Sequence, residues 1–302
     1  MSEWKEHVKK ALYTTINKFR ENPITFFNEY DVHAYFYKQI YSDKLIVKDK
    51  FPEQGKKPIH LKIPRYHQEY PTIFKYSGKK LNQTIDQKLF GKDPDNVLRL
   101  NKNVSLTEIV EETFNKTNDN YTRTRGNSDF AIIKKCFIEK KLSNYFGHTE
   151  GAFNPERIYE IINRKKPEED ADKDIQDLIV EMKFVNSYSK GFTKEVVKDF
   201  FKLIGTRKAL KSNKKDSPLL INLVFCSVPD FSSKDGSKTS DKQKQHVEWV
   251  REITTMNNVY KKYNILGIFV QSYFDRNGKK NKLPQTNSGK DWRKAIDDYF
   301  KS

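Results

Sequence analysis

A layered α/β fold is predicted by three features of this 302-residue chain: helical periodicity at its start, short apolar runs of strand type, and strands alternating with helices through the last third. The expected organisation is an N-terminal helical and irregular region, 1–105, followed by an α/β core, 106–302, with a charged loop inserted at 134–176.

The first element carries Trp4, Val8, Leu12, Ile16 and Phe19 at intervals of four and three, the spacing of one helix face. Asn22-Pro23 ends it and opens a second helix over 24–41. There Phe27, Tyr30, Ala34, Tyr37 and Tyr41 form one apolar stripe, expected in the core, and Phe26, Phe36 and Ile40 form a second that also carries Glu29 and His33. Residues 46–105 read as irregular, with short strands at 59–63 and 72–76. Ser105-Leu106-Thr107-Glu108 is a capping box for a helix to about 115, with Glu108, Glu111 and Glu112 on its outer face. Strands follow at 129–133 and 177–185. A helix is expected over 194–210, a buried strand at 219–228, a helix at 246–263 and a strand at 265–274. Residues 275–290 are a basic loop rich in Gly, Asn and Lys.

Composition removes several classes of function. No apolar run reaches the ~18 residues that span a bilayer, so no membrane partner is expected. The opening MSEWKEHVKK places charges where a signal peptide is apolar. Two cysteines, Cys136 and Cys226, exclude a disulfide scaffold and a Cys-based zinc site. A reducing compartment follows, cytoplasmic or nucleoid-associated. Fifty-seven Lys and Arg against 40 Asp and Glu give a net charge of +17, which attracts polyanions, nucleic acid first among them. Lys outnumbers Arg 46 to 11, which weakens that inference because Arg is the more discriminating phosphate reader.

Chemistry concentrates in Leu178-Ile179-Val180-Glu181-Met182-Lys183-Phe184-Val185. Side chains alternate along a strand, so Glu181 and Lys183 share a face, about 7 Å apart. The pattern Asp/Glu-x-Lys occurs four times, but only this copy lies inside an apolar strand. Unpaired charge is costly there. The pair therefore points either to a metal with an anionic substrate or to a structural salt bridge. Asp129 heads its strand just after Gly126, which lets the chain bend sharply. Beside Glu181 on a neighbouring strand it completes an oxygen-rich site suited to Mg²⁺. Taken alone it reads as a turn cap.

Glu29 on a helix, Gly126-Asn127-Ser128-Asp129 opening a strand, and Glu181-Met182-Lys183 in the next strand resemble the PD-(D/E)xK nuclease superfamily. The resemblance covers about residues 24–230. It implies a restriction-endonuclease-like core, a mixed central sheet flanked by helices in the order helix, three strands, helix, strand, with an N-terminal helical extension. Ser128 replaces the proline that usually precedes the aspartate, and 52 residues separate Asp129 from Glu181. The 100 residues between Glu29 and Asp129 leave Glu111 as a rival helix carboxylate.

The resemblance further implies that Asp129, Glu181, Glu29 and the Met182 carbonyl bind one or two Mg²⁺ ions, with Mn²⁺ able to substitute. Lys183 would orient or deprotonate the attacking water. DNA is the implied substrate, with RNA the other choice; cutting both strands favours a homodimer, and restriction or another anti-invader defence is the implied setting. A repair or RNA-cleaving nuclease is one alternative. A DNA-binding or scaffold protein, with Asp129, Glu181 and Lys183 as a buried ion network, is another. Phosphate contacts are expected from Lys198 and Lys202 on one helix and from Lys279, Lys280 and Lys282 in the basic loop. His33, one turn after Glu29, reads as a helix-packed core residue.

Overall fold

The computed structural model describes residues 2–51, 59–71, 127–140, 175–185, 190–209, 217–227, 262–272 and 292–301, with positions 83, 87, 250, 251 and 254. Strands β1 (Ile46–Phe51) and β2 (Ile59–Pro64) form an antiparallel pair. Arg65 then turns the chain into β3 (Tyr66–Pro71), one edge of a five-stranded sheet completed by β4 (Asn127–Ile133), β5 (Gln176–Val185), β6 (Leu219–Cys226) and β7 (Ile265–Gln271). The order is β3-β4-β5-β6-β7. The first three strands run antiparallel to their neighbours, and β5, β6 and β7 are parallel. Parallel neighbours need a crossover. Helix α3 (Lys190–Ala209) lies between β5 and β6 in sequence and packs on both. The expected α/β class with a mixed sheet flanked by helices is therefore present.

Helices α1 (Glu3–Glu21), α2 (Glu29–Ile40) and α4 (Trp292–Lys301) share one face of the sheet. Val8, Leu12, Ile16 and Phe19 of α1 are all buried, as their spacing predicts. They meet Val180, Met182 and Phe184 of β5 and Leu223 and Phe225 of β6. The alternate residues of β5, Ile179, Glu181, Lys183 and Val185, face α3, where Val196, Val197, Phe200 and Ile204 supply the apolar cover. On this side Gly267 of β7 allows a close approach, because a Cβ there would sit 1.6 Å from the Thr254 carbonyl oxygen.

Helix α2 corrects the sequence reading. Its buried residues are Val32, His33, Phe36 and Ile40, whereas Phe27, Tyr30 and Tyr41 of the stripe expected in the core are 78%, 77% and 66% exposed. The reason is the cap. The Asn28 side chain accepts from the Asp31 N–H while Asp31 accepts from the N–H groups of Asn28 and Phe27, so the helix starts at Glu29 and Phe27 lies outside it. Helix α4 was not anticipated. It runs antiparallel to α1, with the Tyr13 hydroxyl donating to Asp297 at 2.7 Å and the Tyr13 ring edge-on to Trp292. Its Tyr299 hydroxyl accepts from the Leu220 N–H at 2.8 Å. The strand expected at 72–76 and the helix at 105–115 lie outside the described residues. So do most of the helix expected at 246–263 and most of the loop at 134–176.

Arg65 ties the β2–β3 corner to the main sheet. Its N–H donates to the Leu45 carbonyl, its Nε donates to the Ile133 carbonyl, and its Nη2 pairs with Asp177. Burial pulls the guanidinium pKa down and the Asp177 pKa up, each against the attraction of its partner. Removing one member of such a pair strands the other. Arg65→Met is expected to cost about 3 kcal/mol in urea denaturation, and Arg65→Met with Asp177→Leu to recover part of that loss.

Burial lowers His67 to about 4, with a hydrogen bond to the Pro64 backbone opposing. The unfolded chain, with His near 6.5, takes up the proton first, so stability falls as pH drops from about 6.5 to 4. The loss attributable to His67 is at most about 3 kcal/mol. Urea midpoints measured across this range should flatten in His67→Phe relative to the wild type.

Candidate functional site

The β4–β5 ladder pairs Ile132 with Leu178, Ala131 with Ile179 and Phe130 with Val180, and there it stops. Beyond that point two N–H groups of β5 still face the side that β4 has left, and carboxylates receive them. The Asp129 Oδ2 accepts from the Met182 N–H at 2.6 Å, and the Glu29 Oε2 accepts from the Phe184 N–H at 3.4 Å. The N–H and C=O of one strand residue point the same way. The Met182 carbonyl therefore faces the same opening, while its side chain is buried in the opposite core.

Glu29 is the first residue of α2, and its Oε2 also lies 2.9 Å from the Lys183 Nζ. One turn on, the His33 Nε2 is 3.9 Å from the Asp129 Oδ2. His33 is only 9% exposed, and its Nε2 has no hydrogen-bond partner among the described residues. Glu29, His33 and Asp129 bring one ligand atom each within 4.8 Å of the others. Two carboxylates and an imidazole from two elements thus come together, donor types that a divalent cation can use.

Behind this cluster lies a second one, under α3. Glu181 is fully buried, with its Oε2 2.5 Å from the Lys202 Nζ, and Lys202 is also 3.9 Å from Asp199. Asn222 of β6 stands opposite Glu181 in register and is equally buried. Burial pushes the Glu181 pKa well up, helped by Asp129 and opposed by Lys202. Burial likewise pushes Asp199 up to about 7 against the pull of Lys202 and Lys183. For both lysines burial acts downward, but the carboxylates outweigh it. Asp199, Glu29 and Asp129 hold Lys183 above its ordinary value, and Glu181, Asp199 and Asp129 do the same for Lys202. When all are ionised, four carboxylates against two ammonium groups leave two excess negative charges, the complement of one divalent cation.

The structure thus brings Glu29, Asp129, Glu181 and Lys183 into one neighbourhood. Lys183 reaches the cluster as expected, its ammonium paired with Glu29. Lys202, expected on a phosphate-facing stripe, instead points inward to Glu181 with 15% of its side chain exposed, because a fully buried carboxylate demands a counter-charge. Lys198 pairs with Glu195 one turn before it on the same helix. Lys279, Lys280, Lys282 and Glu111 lie outside the described residues. Sequence reasoning placed His33 in the core, where it lies, but did not bring it to Asp129, and it missed Asp199 and Asn222. The signals for the last two were a carboxylate among Val196, Val197, Phe200 and Phe201, and a lone amide in Leu219-Leu220-Ile221-Asn222-Leu223-Val224.

Asp129→Ala removes the acceptor for the Met182 N–H and should cost about 1–3 kcal/mol in chemical denaturation, with faster hydrogen exchange at that amide. Asp129→Asn keeps an acceptor oxygen and should hold both values near wild type. Comparison of the chain with family models, with curated proteins and with solved structures yields no match.

Proposed function

We propose that the protein is a metal-dependent nuclease that hydrolyses phosphodiester bonds in DNA as an endonuclease. The observation that carries this reading is the convergence of Glu29, His33 and Asp129 at the point where β4 leaves β5, with Lys183 reaching the same opening. Among the described residues, α2 and the β1–β2 pair precede the antiparallel strands β3, β4 and β5, which α3 and the parallel strand β6 follow, an order that supports a restriction-endonuclease-like core with the β1–β2 pair as an addition to it. The net charge of +17 suits a polyanionic substrate.

The unpartnered His33 Nε2 and the flanking carboxylate oxygens fit a divalent cation. The imidazole departs from the all-oxygen set that Mg²⁺ prefers, so Mn²⁺ suits these donors at least as well. Once bound, the cation would supply positive charge against the scissile phosphate and acidify water. Lys183, kept protonated by Asp199, Glu29 and Asp129, orients the attacking water and neutralises charge developing on the phosphate. The Met182 and Phe184 amides fix the two carboxylates, so the site is ordered before substrate arrives. The buried Glu181–Lys202 pair favours a second reading, a nucleic-acid-binding protein whose charges form a structural network.

Supercoiled plasmid incubated with the protein and Mg²⁺ or Mn²⁺ should be nicked or linearised, and EDTA should prevent this. Asp129→Ala and Lys183→Ala should slow cleavage at least about a hundredfold while gel-shift binding persists. Salt-sensitive binding without cleavage in either metal, or a Lys183→Ala variant that cuts at the wild-type rate, would establish the second reading.

A further inference from the structure

The chamber beneath α3 has the composition of a cation site, yet it already holds a cation that belongs to the chain. Its walls are Glu181, Asp199 and Asn222, on β5, α3 and β6, all at most 8% exposed. Among the described residues, the Glu181 Oε1, the Asp199 Oδ2 and both amide atoms of Asn222 have no hydrogen-bond partner. Buried polar atoms left this way are costly and mark a place built around charge. The Lys202 Nζ sits between the two carboxylates, 2.5 Å from one and 3.9 Å from the other. An ammonium on a four-carbon stem is a compact point charge and can do here what a free ion would do. Among the described residues, the group of ligand atoms close enough to share a divalent ion is Glu29, His33 and Asp129, and it does not include Glu181 or Asp199.

We propose that Lys202 is a tethered counter-ion filling the Glu181–Asp199 chamber, so that the chain takes a single divalent cation, held by Glu29, His33 and Asp129. The inference rests on the metal-dependent reading above and narrows it, because the resemblance implied one or two ions with Glu181 among their ligands. Lys202 then acts as a positioning residue. It holds Glu181 stationary behind Asp129 and excludes a second ion from the space between Glu181 and Asp199.

Mn²⁺ titration of the full chain, counted by the electron paramagnetic resonance signal of the free ion, tests this. One Mn²⁺ per wild-type chain is expected, one in Lys202→Arg, and two in Lys202→Met, where the vacated carboxylates recruit an ion. Two ions in the wild type, or one in a folded Lys202→Met, overturns the proposal and leaves the nuclease reading standing. No Mn²⁺ in the wild type, together with no metal-dependent cleavage, overturns both. If Lys202→Met melts below the assay temperature without metal, Mn²⁺ should restore its fold in a thermal scan. Failure to restore it also overturns the proposal.

Discussion

Where two antiparallel strands part, each exposes backbone donors that a continuing ladder would have satisfied. In this chain β4 leaves β5 after Phe130–Val180, and the rest of the site follows from that separation. A buried N–H without an acceptor is expensive. The Met182 and Phe184 amides are answered by carboxylates from two other places in the sequence, Asp129 and Glu29. To deliver Glu29 to that point, α2 must begin there, which requires the Asn28–Asp31 cap to start the helix at this residue. It must also lie against the sheet, which Phe36 secures by stacking edge-on to Phe130. Backbone hydrogen bonding, helix capping and aromatic packing thus hold the carboxylates in position together.

The two faces of the sheet carry different loads. Among the described residues, the side covered by α1, α2 and α4 is apolar almost throughout, and its burial favours folding. The α3 side interrupts its apolar cover with Glu181, Asn222, Asp199 and Lys202. Replacing such a buried ion network by packed hydrophobic residues is often neutral or stabilising. Carboxylates held far from their ordinary protonation equilibrium, next to lysines held above theirs, are typical of places where a fold gives up stability for chemistry.

The elements that could be read from the sequence were those whose pattern is dictated by a single neighbour. Helix α1 buries one stripe against one sheet face, and its spacing gave it at once. The central strands are apolar runs bounded by polar segments, and period-two alternation placed Glu181 and Lys183 on one face correctly. Features that depend on three-dimensional context were misread. The stripe from Phe27 to Tyr41 is as apolar as the buried one, and only the position of the cap decides which faces the sheet. Lys202 read as a phosphate contact because its partner, 21 positions away, is brought near only by the β5–α3 crossover. Strand β3 carries His67, Gln68 and Glu69, a polar sequence that becomes a strand because β4 offers it an edge. In α4, Trp292, Ile296, Tyr299 and Phe300 do follow helical spacing, but they come after a long basic stretch that concealed them.

The α1–α4 pairing has a consequence for synthesis. Chains emerge from the ribosome N-terminus first and generally begin to fold as they do. Helix α1 is made well before α4, yet Tyr13 and Lys9 find Asp297, and Asn17 finds Arg293, only after residues 292–301 have followed. The Tyr299 hydroxyl that meets the backbone of β6 and the residue before β7 comes at the same late moment. Until then α1 has its apolar stripe and part of its destined cover, but not the helix that lies along it. Completion of this face waits until α4 has been made, and a growing chain must keep α1 from other partners over that whole interval.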